Sequence, residues 1–196
     1  MTKIGVLALQ GAVREHIRAI EETGASALEI KQVGQLKELD GLILPGGEST
    51  TMRRLMDSYG FSDAIRDLKR QGKPLFGTCA GLILMASAIE GQADAHLGLM
   101  DMTVARNAFG RQVASFEAKL DVKHVGDTFQ AVFIRAPYIT EAAPDVEVLA
   151  VYQDRIVAAK QDNCLCTAFH PELTDDNRLI AYFAEMVEQS RNTLAS

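Results

Sequence analysis

A chain of 196 residues with 47% hydrophobic and 23% charged residues can fill one sizeable core and is too apolar for intrinsic disorder. Its formal net charge is −6 and its basic residues are scattered, Arg53–Arg54 and Lys69–Arg70 being the adjacent pairs, so no cationic track for nucleic acid is expected. The start, MTKIGVLALQG, is too short an apolar run for a membrane span or a secretion signal, and three cysteines lack a framework spacing. A cytoplasmic protein with no membrane contact, no disulfides and no bound metal is expected, folded as one domain over residues 1–196.

KIGVLAL (Lys3 to Leu9) is an almost continuous apolar run of β-formers, the pattern of a strand covered on both faces. Val13, Ile17 and Ile20 then recur at helical spacing up to Gly24. ALEI (Ala27 to Ile30) and GLILP (Gly41 to Pro45) repeat the strand signal, and STTMRRLMDSYG places Met52, Leu55 and Met56 on one helical face. Ser49 or Thr50 is the expected N-cap of that helix and Gly60 its stop. A shorter helix runs from Ser62 to about Arg70, Gly72 and Pro74 break it, LFG reads as a strand, and LILMASAI continues as a helix.

Alternating strands and helices imply a mostly parallel sheet flanked by helices, with ligands at the carboxyl ends of the strands. From about Met102 the texture changes to shorter strand-like runs: ASFEAKL, QAVFIRA, VEVLAVY, RIVAAK and CLCTAF. Leu179, Ile180, Phe183, Met186 and Val187 mark a closing helix between Asp175 and about Asn192. The fold class is therefore α/β with a β-rich second half.

LFGTCAG is a strand, a sharp turn and a helix start, with Gly77 and Gly81 allowing the tight backbone of a nucleophile elbow. It puts Cys79 at a helix N-terminus, where the dipole and free amides favour a thiolate. The alternative is a small buried thiol between packing glycines. In CTAFHPEL, Pro171 pushes the residue before it into an extended conformation, so His170 and Glu172 project to one side and can serve as base and orienting acid. Taken alone, that segment also fits a surface histidine at a strand end; the two segments together favour a Cys–His–acid triad.

GLILPGGEST places Gly46 and Gly47 after a strand and before a helix, so Gly47 N–H and Ala80 N–H can form a two-donor oxyanion hole. Cys164 and Cys166 share a face of a strand and read as core residues. His16, His96 and His124 are assigned to solvated faces or element ends without catalysis, and Arg14 to a docking surface.

GTCAG, FHPE and PGGES, as they stand here, resemble the class I, triad-type glutamine amidotransferases, whose sheet is flavodoxin-like. That resemblance implies hydrolysis of the glutamine side-chain amide through a γ-glutamyl thioester on Cys79, releasing ammonia for a synthase. Ile83 departs from the glutamine common four residues after the nucleophile. LALQGAVREH, LPGGEST, GTCAGLILMA, RNAFGRQVASF and FIRAP are similar to the glutaminase subunits of pyridoxal 5′-phosphate synthases over nearly the whole chain.

This similarity implies a glutamine site at Gly47, Glu48, Ser49, Arg106, Ile134 and Arg135. It also implies a role for Gln10 in setting the oxyanion loop when a synthase subunit docks, L-glutamine and that subunit as partners, and no cofactor. Free glutamine carries an α-carboxylate and an α-ammonium, which call for a cation such as Arg106 and an acceptor such as Glu48. The chain has no P-loop fingerprint, so sugar-phosphate chemistry belongs to another polypeptide. The competing readings are the glutaminase of another system, such as imidazole glycerol phosphate synthase, a cysteine hydrolase of γ-glutamyl compounds, and a non-catalytic flavodoxin-like binding module.

Overall fold

The computed structural model describes residues 1–107, 109 and 115–196, so Ala108 and the GRQVA portion of the RNAFGRQVASF run lie outside the described residues. In the first half, β1 (Lys3–Leu7), α1 (Val13–Glu22), β2 (Ser26–Ile30), a 3-10 turn (Val33–Glu38), β3 (Gly41–Leu44), α2 (Ser49–Tyr59), α3 (Phe61–Arg70), β4 (Leu75–Thr78) and α4 (Ala80–Met85) follow one another. The second half holds β5 (Ala86–Ile89), β6 (Met100–Ala105), β7 (Ser115–Val122), β8 (Gly126–Ile134), β9 (Tyr138–Ala142), β10 (Glu147–Tyr152), β11 (Arg155–Gln161) and β12 (Cys164–Thr167). A 3-10 turn (Pro171–Leu173) and α5 (Arg178–Leu194) close the chain. Among the described residues, no helix is long and apolar enough to cross a membrane.

One sheet runs through both halves in the order β2-β1-β3-β4-β12-β11-β9-β6-β5, with β10 paired to β11. The first five strands in that order are mutually parallel, and β11 turns antiparallel to β12. β3, β4 and β12 are buried at every position, which explains why their sequences read as unbroken apolar runs. α5 lies on this centre through Phe183, whose ring sits 5.3 Å from that of Phe76, and through Val187, which packs over Gly41.

β7 and β8 form a separate antiparallel hairpin. An aromatic cluster fastens it to the main sheet: Phe133 stacks on Phe116 at 4.6 Å and meets Phe169 edge-on at 5.5 Å. Phe129 approaches Phe169 at 5.7 Å. Phe169 precedes His170, so this packing brings the end of β8 over the carboxyl edge of the sheet.

Three features depart from the sequence expectation. α4 stops at Met85, and Ala86–Ile89 form β5, parallel to β6, where a continued helix was expected. The amides of Leu97 and Leu99 take the carbonyls of Leu84 and Met85, so the last turn cannot propagate, and a wholly buried apolar run satisfies either conformation. The cap of α2 is Glu48, where Ser49 or Thr50 was expected; its carboxylate accepts from Thr50 N and Thr51 N. β6 and β9 are strands that the sequence reading did not list, and they pair with each other antiparallel.

The elbow before α4 depends on contacts that exclude side chains. A Cβ on Gly81 would stand 2.1 Å from the Leu44 carbonyl oxygen, and one on Gly77 2.5 Å from the Gly81 carbonyl oxygen. Gly81→Ala should therefore destabilise the protein by about 1–3 kcal/mol, because backbone must move to admit the methyl. A urea midpoint unchanged from wild type would contradict the close approach.

Candidate active site

β1, β3, β4 and β12 lie in the order β1-β3-β4-β12, all parallel, and the chain changes direction across the sheet between β1 and β3. Such a switch point opens a crevice at the carboxyl ends of the strands. The four loops that leave those ends carry Gln10, Gly46–Gly47, Cys79 and His170.

Cys79 has φ 53° and ψ −105°, a conformation that non-glycine residues rarely adopt. Its N–H donates to the Thr167 carbonyl at 2.8 Å, and its Sγ lies 3.7 Å from the Ile134 carbonyl oxygen. The residue is buried, with 8% of its surface open. Cys164 and Cys166 differ: both are fully buried in β12, and burial pushes the Cys164 thiol up to about 12 and that of Cys166 higher still. They are core thiols.

His170 is extended, with φ −103° and ψ 92°, and its N–H donates to the Val132 carbonyl of β8 at 2.8 Å. Its Nδ1 lies 3.2 and 3.3 Å from the two carboxylate oxygens of Glu172, whose side chain is wholly buried. Gly46 packs against both catalytic candidates, since a Cβ there would fall 2.7 Å from His170 Cε1 and 3.5 Å from Cys79 Cβ. Burial opposes a charged His170, but hydrogen bonds to Cys79 and Glu172 and the charge of Glu172 prevail, raising its pKa from 6.5 to about 10. These partners favour an imidazolium between the Cys79 sulfur and a carboxylate.

Ala80 opens α4, so its amide is one of the first-turn donors that no carbonyl of its own helix accepts. The other expected donor, Gly47, sits in a loop held from the β1 end. The Glu48 N–H donates to Gln10 Oε1 at 2.7 Å, and a Cβ on Gly47 would lie 2.9 Å from that oxygen. Gly11, at φ +98°, faces the Gly46 carbonyl so closely that a Cβ would fall 1.6 Å from its oxygen. Gln10 and Gly11 together hold the Gly–Gly turn.

Glu48 and Arg106 meet at the rim, where Arg106 donates to Glu48 Oε1 at 3.1 Å and to Thr50 Oγ1 at 3.4 Å. The carboxylate also accepts from the Thr51 hydroxyl and amide at 2.7 Å each, and these bonds, led by the hydroxyl, lower its pKa to about 2. The expected separate acceptor and cation are therefore one ion pair that also caps α2. Ser49 is buried beneath it, with an Oγ that has no partner among the described residues. Ile134 and Arg135 are exposed at the end of β8, Arg135 at φ 45°.

Two histidines correct the sequence reading. His16 is fully buried, its Nε2 lying 3.1 Å from Thr78 Oγ1 and 3.3 Å from Glu172 Oε2. Its position with Ala19 and Ile20, at i, i+3 and i+4 on the buried stripe of α1, was the available signal. His96 is also buried, its backbone carbonyl accepting from Arg53 and Arg66. His124 is exposed and pairs with Glu147 at 3.0 Å, as a solvated position requires. Arg14 is exposed on the first turn of α1.

A profile of the SNO glutamine amidotransferase family matches residues 6–189. The chain belongs to that family. It is 61% identical over 191 residues to pyridoxal 5′-phosphate synthase subunit PdxT of Bacillus cytotoxicus, covering 97% of each chain. It is also 61% identical to the PdxT subunit of Anoxybacillus flavithermus, covering 97% of this chain and 100% of that one. A crystal structure described as a glutamine amidotransferase superposes with a TM-score of 0.90 at 46% identity, over 94% of this chain and 98% of the other. The protein is thus an amidotransferase, with an α/β sheet and a separate antiparallel hairpin.

Glu48→Gln weakens the cap of α2 and the pair with Arg106. The expected loss is about 1 kcal/mol or less, since half-exposed charges are screened by solvent. Because the folded carboxylate titrates near 2 against 4.5 unfolded, the stabilisation is present above pH 4.5 and fades as pH falls toward 2. Urea unfolding of both proteins at pH 7 and pH 3 checks this: the gap should narrow at the lower pH, and a gap that widened would contradict it.

Proposed function

We propose that this chain, folded as one domain over residues 1–196, hydrolyses the side-chain amide of L-glutamine at the Cys79 elbow. It passes the ammonia to the synthase subunit of a pyridoxal 5′-phosphate synthase in the cytoplasm. The observation that carries the chemistry is Cys79 in a strained elbow beside His170, whose far nitrogen is bonded to the buried carboxylate of Glu172. The high identity to PdxT subunits supports the destination of the ammonia.

In this reading the Cys79 sulfur, as the thiolate partner of the His170 imidazolium, attacks the amide carbon, and the carbonyl oxygen becomes an oxyanion held by the amides of Gly47 and Ala80. The His170 imidazolium protonates the departing nitrogen, the C–N bond breaks, and ammonia leaves a glutamyl thioester. Neutral His170 then takes a proton from water, hydroxide attacks the thioester, and glutamate leaves as the C–S bond breaks, restoring the thiolate beside the His170 imidazolium. Glu172 holds the imidazole tautomer throughout. Glu48, Ser49, Arg106, Ile134 and Arg135 bind the amino-acid end of glutamine, with the Glu48–Arg106 pair presenting opposite charges at one rim.

Gln10 has a part in activation. The Gly46–Gly47 turn is held by the Gln10 side chain and packed against Gly11, so a docking partner that moves the β1 loop also moves the Gly47 amide. The exposed start of α1 with Arg14 adjoins that loop and is suited to such docking.

Ammonia release should be measured with and without a synthase subunit, for wild type and Cys79→Ala. Wild type should turn over glutamine faster when the synthase subunit is present, and acid-quenched complex should carry a glutamyl adduct on the Cys79 peptide. Cys79→Ala should lose at least about 10³-fold in kcat while still binding the partner. Retained turnover in that variant would overturn the assignment.

A further inference from the structure

Resting on the triad reading above, we infer that His16 is a positioning residue for the reaction: a neutral imidazole whose Nε2–H, hydrogen-bonded to Thr78 Oγ1, also faces Glu172 and so fixes the carboxylate that aims His170. Glu172 is then held from two sides, by His170 Nδ1 at 3.2 Å and by His16 Nε2 at 3.3 Å. Each of the three side chains comes from a different place: α1, the end of β12 and the 3-10 turn that follows it.

The proton on His16 can be located from its surroundings. The ring is 0% exposed and offers two nitrogens. Nδ1 has no hydrogen-bond partner among the described residues, while Nε2 faces both Thr78 Oγ1 at 3.1 Å and Glu172 Oε2. A proton on Nδ1 would leave a buried donor without an acceptor and turn an Nε2 lone pair toward a carboxylate. A proton on Nε2 leaves only an acceptor unpartnered, the cheaper omission, and gives the buried carboxylate a donor.

The groups that bear on His16 charge are Glu172 and His170 from the β12 side and Glu15 on its own helix. Burial is the largest influence and favours the neutral ring, His170 acts in the same direction, and Glu172 and Glu15 oppose. A neutral donor suits the task, because a second imidazolium would compete with His170 for the charge of Glu172.

A buried carboxylate with a single partner could rotate or take up a proton, and either change would release His170 from its tautomer. The second donor resists both. It touches neither substrate nor the reacting atoms, so its removal should act on turnover and leave glutamine binding alone.

The test uses the amidotransferase in complex with its synthase subunit, with wild type and Cys79→Ala as controls. His16→Leu fills the space without a donor and should lower kcat about 10- to 100-fold, with KM for glutamine changed less than about 2-fold. His16→Gln can place an amide N–H near the Nε2 position and should keep kcat within about 5-fold of wild type. A Leu variant with wild-type kcat, or a Gln variant as impaired as Leu, would overturn the inference. Nitrogen-15 NMR of the wild-type His16 ring decides it without any substitution: a neutral ring protonated at Nε2 supports it, and one protonated at Nδ1 or at both nitrogens rejects it. If Cys79→Ala stays active, the triad reading itself fails, whatever the His16 variants do.

Discussion

The backbone at Cys79 is the constraint around which the rest of the site is arranged. A non-glycine residue at φ 53° and ψ −105° costs on the order of 1–3 kcal/mol, and such a conformation persists only where its surroundings over-determine it. Here they do. The Cys79 amide is tied to the Thr167 carbonyl of the neighbouring strand, α4 is buried at all its positions, and Gly77 and Gly81 bring that helix into backbone contact with β3 and β4. Relaxing the elbow would require separating strands at the centre of the sheet. The sulfur is therefore presented at a fixed point, and every other proposed catalytic group has only to be carried to it.

Carrying charged groups to that point creates a second problem, since the carboxylate of Glu172 has no exposure to water. An unpaired buried carboxylate is costly enough that proteins neutralise it. The chain meets this by closing the site from several directions. α1 brings His16, β4 brings Thr78, and the aromatic cluster of the β7–β8 hairpin brings the Val132 and Ile134 carbonyls against His170 and Cys79. The hairpin is thus more than an addition to the sheet: without it the backbone of His170 would lose its acceptor.

Much of this was legible in the sequence because it is local. A strand that ends in a glycine-flanked cysteine, a histidine forced into extension by the proline after it, and a Gly–Gly pair between strand and helix each carry their geometry within a few residues. The unread parts depend on contacts between distant segments. The end of α4 is set by amides of Leu97 and Leu99, the cap of α2 by a carboxylate one residue earlier than the usual hydroxyls suggested, and the Glu48–Arg106 pair by a fold that brings the N-cap of α2 to the residue after β6. The carbonyls of Val132 and Ile134 leave no trace in residue type. His16 was misplaced for another reason: a polar residue on an apolar helical stripe looks like an exception, although its spacing with Ala19 and Ile20 already placed it inside.

The site divides into a part that cannot move and a part that can, and the division follows burial. His170, Glu172 and His16 are buried together, His170 hydrogen-bonded to Glu172 and His16 bonded to Thr78 while facing the same carboxylate at 3.3 Å, so displacing one leaves a buried charge with fewer partners. The Gly46–Gly47 turn is held differently, by one side-chain acceptor on Gln10 and by packing against glycines, and its neighbours Glu48 and Arg106 are half in solvent. A partner that binds at the carboxyl edge has little leverage on the buried set and a great deal on the turn. Under the proposed function, control of turnover therefore belongs with the Gly47 amide, the proposed oxyanion donor, and not with Cys79 or His170, and it can be exercised without disturbing the strained residue on which the site is built.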